Sequence, residues 1–234
     1  MTEDLLQTGA EALSLFLTEA QREKFRIYLK ELQHWSDKIN LTSIKDADDI
    51  IVKHFLDSLA VLLAFPITSQ SIIDIGAGAG LPGIPIKIVR DDVSLTLLDS
   101  VGKKVEFLKH VIAELKLNKT SALWGRAEDL AAAMRGKFDI AISRAVAPLN
   151  ILCEYCLPFV KVGGFMIALK SDKIDKELEE AKSAIKILGG SLKEVERIKL
   201  PTTDIVREIV IIEKIVKTPA AYPRKAGTAK KKPL

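Results

Sequence analysis

Apolar positions recur at helical spacing through the first 65 residues and, from residue 71 on, in short runs broken by turns. Phe25, Tyr28, Leu29, Leu32 and Trp35 fall three and four apart, which places them on one helix face. A further helix is predicted from Asp48 through Ile51, Phe55, Leu56 and Leu59. Asn40-Leu41-Thr42-Ser43 supplies a turn with capping residues between the two. Beyond residue 71 the aliphatic runs predict strands near 71–75, 94–98, 120–124, 138–142, 164–169, 191–199 and 205–213. Helices are predicted over 83–90, 102–117, 127–134, 148–156 and 173–188. Gly163-Gly164 punctuates before the fifth strand, and Gly189-Gly190 closes the last helix. Pro201-Thr202-Thr203-Asp204 joins the last two strands with no helix between, which predicts an antiparallel hairpin on a mostly parallel sheet. The order describes an α/β domain at 66–216 behind a helical extension at 1–65, with a tail at 217–234.

The first strand feeds the densest signal of the chain, Asp74-Ile-Gly-Ala-Gly-Ala-Gly-Leu-Pro-Gly83. Strand, glycine loop and helix form the nucleotide-binding corner of a doubly wound domain. Gly76, Gly78, Gly80 and Gly83 allow positive φ and close approach of a ligand. Pro82 suits the first turn of the helix. Gly78 to Gly83 is a literal G-x-G-x-x-G, the dinucleotide fingerprint. Counted from Asp74, the same stretch is an acid followed by alternating glycines, the S-adenosylmethionine pattern. A carboxylate at the mouth of the loop would repel a pyrophosphate and attract an ammonium or sulfonium. Asp99, closing the second strand, is placed to hydrogen-bond ribose hydroxyls, which both cofactors carry. A dehydrogenase of this fold would more often continue into a substrate domain, and 234 residues leave no room for one.

Charge changes the picture at one end only. The net charge of +4 comes from the tail, where Lys217, Arg224, Lys225, Lys230, Lys231 and Lys232 stand without an acid. The remaining chain holds 29 basic and 31 acidic residues. Such a tail is expected to be disordered and attractive to polyanions, or merely solubilising. No apolar run approaches a membrane span, the start carries no basic n-region, and two cysteines give no disulfide framework, so a cytoplasmic protein is expected. Cys153 and Cys156, a lone C-x-x-C without nearby histidines, are expected to pack rather than to hold a metal.

Candidate chemistry gathers behind the strand ends. Ala127 and Glu128 follow the third strand, where an acid either reads a base edge or complements a helix N-terminus. Arg144 follows the fourth strand and Lys170 ends the fifth, both at the edge where open α/β sheets bind ligands. A guanidinium there suits a phosphate or a base edge. His54, Asp57 and Ser58 share one helix face, read as a packing or substrate-contact surface. There is no Asn/Asp-Pro-Pro-aromatic run after the fourth strand, and neither cysteine follows a proline. That argues against amino-group methylation through the first motif and pyrimidine-carbon methylation through the second. Methylation of a ring nitrogen with its own lone pair needs neither, only alignment and exclusion of water.

Asn40-Leu41-Thr42, His54 with Asp57-Ser58, the loop from Asp74 through Pro85, Leu98-Asp99-Ser100 with Lys103-Lys104 and Phe107-Leu108, Arg126-Ala-Glu128, Ser143-Arg144-Ala145 and Leu169-Lys170 occur in this order. Together they closely resemble the bacterial small-subunit (16S) ribosomal RNA guanine-N7 methyltransferase family, also called glucose-inhibited division protein B, over essentially the whole chain. The resemblance implies a Rossmann-like class I S-adenosylmethionine-dependent methyltransferase with a seven-stranded, mostly parallel sheet. It implies transfer of a methyl to one guanine N7 in the 530 loop of the rRNA, free or in the small subunit; a monomer is expected. By resemblance, cofactor positions fall on Gly76, Leu81, Ala127, Glu128 and Arg144, and Lys170 lies near the substrate. Thr228-Ala229 departs from the family's more usual Thr-Pro. A nicotinamide-dependent oxidoreductase and a non-catalytic RNA-binding assembly factor are the alternatives.

Overall fold

The structure, a computed structural model, describes residues 2–171 and 174–234, the side chains of Thr2 and Glu3 excepted. The extension comprises α1 (Thr2–Ala12), α2 (Glu19–Ser36), α3 (Ala47–Ile50), a π-helical turn (Ile51–Leu56), α4 (Asp57–Leu59) and α5 (Val61–Ala64). Thr18 starts α2 with a capping box closed by Gln21. The single helix predicted from Asp48 is thus broken by a wider turn, a form found mostly as short bulges and often at functional sites.

The domain runs β1 (Ser71–Ile75), α6 (Gly83–Val89), β2 (Ser94–Asp99), α7 (Gly102–Glu114), β3 (Thr120–Trp124), α8 (Ala127–Met134), β4 (Phe138–Arg144), α9 (Leu149–Cys156), β5 (Val160–Ser171), α10 (Asp175–Ile187), β6 (Gly190–Lys199) and β7 (Val206–Lys214). The sheet order is β3-β2-β1-β4-β5-β7-β6. β7 lies antiparallel between β5 and β6, and the other neighbouring pairs are parallel. This is the predicted seven-stranded α/β sheet with its terminal hairpin.

Three differences from the predicted elements stand out. α7 stops short of 117 because Lys116 takes a left-handed φ of 50°. Gly163-Gly164 lie inside β5 rather than before it. The register slips there from Phe138↔Val160 to Ile140↔Phe165, and a Cβ on Gly164 would stand 2.4 Å from the Asp139 carbonyl oxygen. Pro82 precedes α6 instead of occupying its first turn. The predicted start of α10 at 173 lies outside the described residues.

Alternation along the strands builds two cores. Ile72, Leu95, Leu97, Ile140 and Ile142 face the extension, α6 and α7. Ile73, Ile75, Leu98, Ala141, Met166 and Ala168 face α8, α9 and α10. Cys153 and Cys156 are buried in the second core. No helix among the described residues is long and apolar enough to cross a membrane.

The tail expected to be disordered is packed on the domain. Arg224 pairs with the buried Glu154, Ala229 is 2% exposed, and α11 (Thr228–Lys231) forms a last turn. Composition suggested a free tail because its lysines dominate, but a few apolar and bonding residues fix its path.

Candidate functional site

The strand order reverses between β1 and β4, so the loops after these strands part and leave a crevice at their carboxyl ends. The glycine loop turns through Gly76, Gly78 and Gly80 at φ of 72°, 57° and 90°. Gly83 is different. It sits in the helix, and glycine is needed because a Cβ would meet Leu97 Cδ2 at 2.8 Å and Asp74 Oδ2 at 2.9 Å.

The loop is wired to itself. Gly76 and Ala77 N–H donate to the Leu98 carbonyl at 2.8 and 3.0 Å, and Gly80 and Leu81 N–H to the Ala77 carbonyl at 2.7 and 3.0 Å. Gly78 N–H donates to Asp99 Oδ2 at 2.8 Å, Gly83 N–H to Asp74 Oδ2 at 2.9 Å, and Ile84 N–H to the Gly80 carbonyl at 2.7 Å. A pyrophosphate binds to free N–H groups at such a corner. Here the Gly76, Ala77, Gly78, Gly80, Leu81, Gly83 and Ile84 N–H groups are already engaged, which weakens the dinucleotide reading. The Tyr28 hydroxyl donates to the Ala79 carbonyl at 2.5 Å and ties α2 to the loop.

Two expectations for this corner are corrected. Asp74 shares the strand face of Ile72 and is wholly buried against α6, so it braces β1 to α6 instead of facing a ligand at the mouth of the loop. Its Oδ1 makes no hydrogen bond, and burial raises its pKa to about 7. Gly80 lies behind the loop, where a Cβ would stand 2.4 Å from Ile84 Cδ1, and it turns the chain without lining a cleft.

Three adjoining clefts run along the crevice. The first, about 500 Å³, is lined by Gly76, Asp99, Ser100, Ala127, Glu128 and Tyr155. The second, about 880 Å³, is lined by Gly76, Gly78, Leu81, Asp99, Lys104, His54 and Arg144. Gly76, Asp99, Ser100 and Val146 belong to both. The third, about 890 Å³, is lined by Lys53, His54, Asp57, Arg144, Lys170, Glu177 and Arg207. His54, Arg144 and Ala145 join it to the second. Asp99 holds the frame between the first two, taking Gly78 N–H on one oxygen and Val101 N–H on the other at 2.8 Å each. A carboxylate with both oxygens so used still has lone pairs to offer a hydroxyl.

The third cleft is cationic, and its charges are bonded to one another. Asp57, 1% exposed, accepts from Arg144 Nη1 at 2.8 Å and from Arg207 Nε at 2.6 Å. Arg144 also donates to the Lys53 carbonyl at 3.1 Å and lies 3.3 Å from His54 Nδ1. Lys170 donates to the Ala147 carbonyl at 2.8 Å and pairs with Glu177 at 2.6 Å. Burial, then the charge of Arg144, lowers the His54 pKa to about 4, so its ring is neutral at pH 7. His54 Nε2 and the Thr42 hydroxyl lie 2.7 Å apart, which ties the Asn40-Leu41-Thr42 turn to the site. The π-helical turn places His54 in this cluster, and Asp57 follows directly after it.

The sequence reading brought Asp99, Glu128, Arg144 and Lys170 to this crevice, and the structure does place them there. It missed Arg207. The available signal was a charged pair, Arg207-Glu208, directly before the apolar run Ile209–Ile212 of a strand inside the sheet.

A family model described as rRNA small subunit methyltransferase G matches residues 21–206. The chain belongs to this family. Curated relatives named ribosomal RNA small subunit methyltransferase G include those of Alkaliphilus oremlandii, 46% identical over 99% of this chain and 98% of the relative, and Clostridium beijerinckii, 47% identical with the same coverage. That of Lactobacillus johnsonii is 45% identical over 93% of each chain. Among solved structures, M. jannaschii TYW2 in complex with AdoMet is similar at a TM-score of 0.54 and 19% identity, over 65% of this chain and 73% of that one. A predicted O-methyltransferase of Agrobacterium tumefaciens is similar at 0.54 and 21%, over 70% and 81%. The fold is therefore that of the class I methyltransferases. Within this methyltransferase, glycine loop, Asp99 and Glu128 form one end of the crevice, and the Arg144–Asp57–Arg207 bridge forms the other.

Proposed function

We propose that this methyltransferase carries a methyl group from S-adenosylmethionine to N7 of a guanine in the 530 loop of 16S rRNA, in the cytoplasm. The observation that carries the reading is the division of the crevice. Its first cleft offers carboxylates and close backbone, and its third offers fixed cations, with Arg144 and His54 at the junction.

The residues of the first two clefts fit the donor. Most of its loop N–H groups are engaged and the Asp99 carboxylate lies beside them, which suits a sulfonium and ribose hydroxyls better than a pyrophosphate. Gly76, Leu81 and Ala127 supply close and apolar wall, and Asp99 and Glu128 the polar contacts. When bound, S-adenosylmethionine supplies an electrophilic methyl on sulfur.

The other residues orient the acceptor. Arg144, Lys170 and Arg207 present positive charge suited to RNA phosphate and to O6 of guanine, leaving the N7 lone pair free to attack. Asp57 holds Arg144 and Arg207 at fixed positions, so little reorganisation is required at the moment of reaction. Guanine N7 is unprotonated at neutral pH, and its lone pair needs no general base. A neutral, fully engaged His54 agrees with that chemistry. Catalysis is then proximity and exclusion of water.

Small-subunit rRNA and assembled subunits, each incubated with the protein and methyl-labelled donor, test the reading. Label in at least one RNA substrate, and none with NAD-linked turnover, is expected. Failure to label either RNA would overturn it.

A further inference from the structure

Residues 218–229 run across the back of the first cleft and touch both helices that wall it. Arg135, at the end of α8, donates Nη1 to the Thr218 carbonyl at 3.3 Å and Nη2 to the Tyr222 carbonyl. Glu154 on α9 is 1% exposed and would be a buried charge with no counter-ion were it not for Arg224. It accepts Arg224 N–H at 2.7 Å and the guanidinium through Nε at 3.0 and 3.1 Å and Nη2 at 2.5 Å. Gly227, at φ 81°, turns the chain so that its N–H donates to Glu128 Oε1 at 3.1 Å. Glu128 and Tyr155 line the first cleft, and Tyr155 follows Glu154 directly.

We propose that this C-terminal strap is a built-in part of the donor pocket, with Arg224 and Gly227 as positioning residues for Glu128 and for the α8–α9 wall. The proposal rests on the donor reading of the first cleft. It separates two jobs that composition lumps together. Arg224 and Gly227 are turned inward and bonded, whereas Lys230, Lys231 and Lys232 are exposed. Held by Gly227, the Glu128 carboxylate loses rotamer freedom before a ligand arrives, which lowers the ordering cost of binding. The strap therefore acts on the affinity for donor, while the lysines at the end of the chain are dispensable for it.

Calorimetry with S-adenosylmethionine and S-adenosylhomocysteine on the full chain and on variants tests this. Arg224→Ala is expected to weaken both about tenfold, with the salt dependence of RNA binding unchanged. Arg224→Lys keeps the charge but not the fork, and should recover part of the loss. A chain ending at Ala226 keeps the Arg224–Glu154 pair and loses the bond to Glu128. It should bind both ligands several-fold more weakly while melting near the full-length chain, and it decides the matter should Arg224→Ala fail to fold. Replacing Lys230, Lys231 and Lys232 by Ala should leave donor affinity alone. Wild-type affinity in folded Arg224→Ala and in the chain ending at Ala226 would overturn the proposal. A shallower salt slope for RNA in these two with donor affinity intact would overturn it in favour of an RNA-binding arm. No binding of either ligand by the full chain would instead refute the donor reading.

Discussion

At the scale of single residues, burial sets two titrations of opposite sign. His54 is depressed to about 4, so the unfolded chain binds more protons than the folded one between pH 4 and 6.5, and its contribution to stability rises with pH there. Asp74 is raised to about 7, so the folded chain binds more protons between pH 4 and 7, and its contribution falls with pH. Each effect is on the order of 3–4 kcal/mol at full extent, and they oppose one another over the shared window. Urea unfolding at pH 4.5 and 6.5 separates them. His54→Asn should become less stable as pH rises, and Asp74→Asn more stable. Identical pH slopes in both variants and the wild type would contradict these assignments. Arg207 has a different signature. Asp57 takes only its Nε, so the planar end of the guanidinium is presented to the third cleft. Arg207→Ala is expected to raise KM for RNA about tenfold and to reduce the salt slope by about 0.7, with donor affinity unchanged.

At the scale of elements, the strap and α2 make separate contributions to the same corner. Arg224→Ala leaves the buried Glu154 without its partner. The loss is on the order of 2 kcal/mol, below that of a fully enclosed pair, because Arg224 keeps 24% of its side chain exposed. A fall in Tm of about 5 °C follows for a chain of this size. Tyr28→Phe removes the hydrogen bond from α2 to the glycine loop and should cost about 1 kcal/mol. Its donor affinity should fall with it, which a thermal melt and a titration read together. Strands were legible in the sequence because their apolar runs are short and bounded, and 71–75 and 120–124 match β1 and β3 to the residue. The break in the helix after Ile50 was not legible, because a π-helical turn keeps the same apolar residue types and alters only their spacing. The docked tail was not legible either, since Glu154, Arg135 and Glu128, which hold its path, lie on distant helices and nothing near them in sequence marks them.

At the scale of the whole molecule, the glycine loop marks the corner, but Asp74 is not the charge that meets a sulfonium, because it is sealed behind α6. What disfavours a pyrophosphate is the loop's hydrogen bonding, which engages most of the N–H groups that a phosphate would use. Such bonds depend on three-dimensional wiring and leave no residue pattern. Asp99, Glu128, Arg144 and Lys170 were legible because each lies at or soon after the carboxyl end of a strand, and those ends define the crevice of this fold. Arg207 comes from the antiparallel strand, whose end at the crevice is its beginning, so that rule passed it over. The central claim is that this crevice delivers a methyl to a guanine N7 of 16S rRNA. The most direct test treats small-subunit rRNA with the protein and S-adenosylmethionine, then cleaves the chain chemically at N7-methylguanine. A single new cleavage in the 530 loop, absent without protein or donor, is the predicted result. Methyl incorporation with no N7-dependent cleavage there would contradict the account.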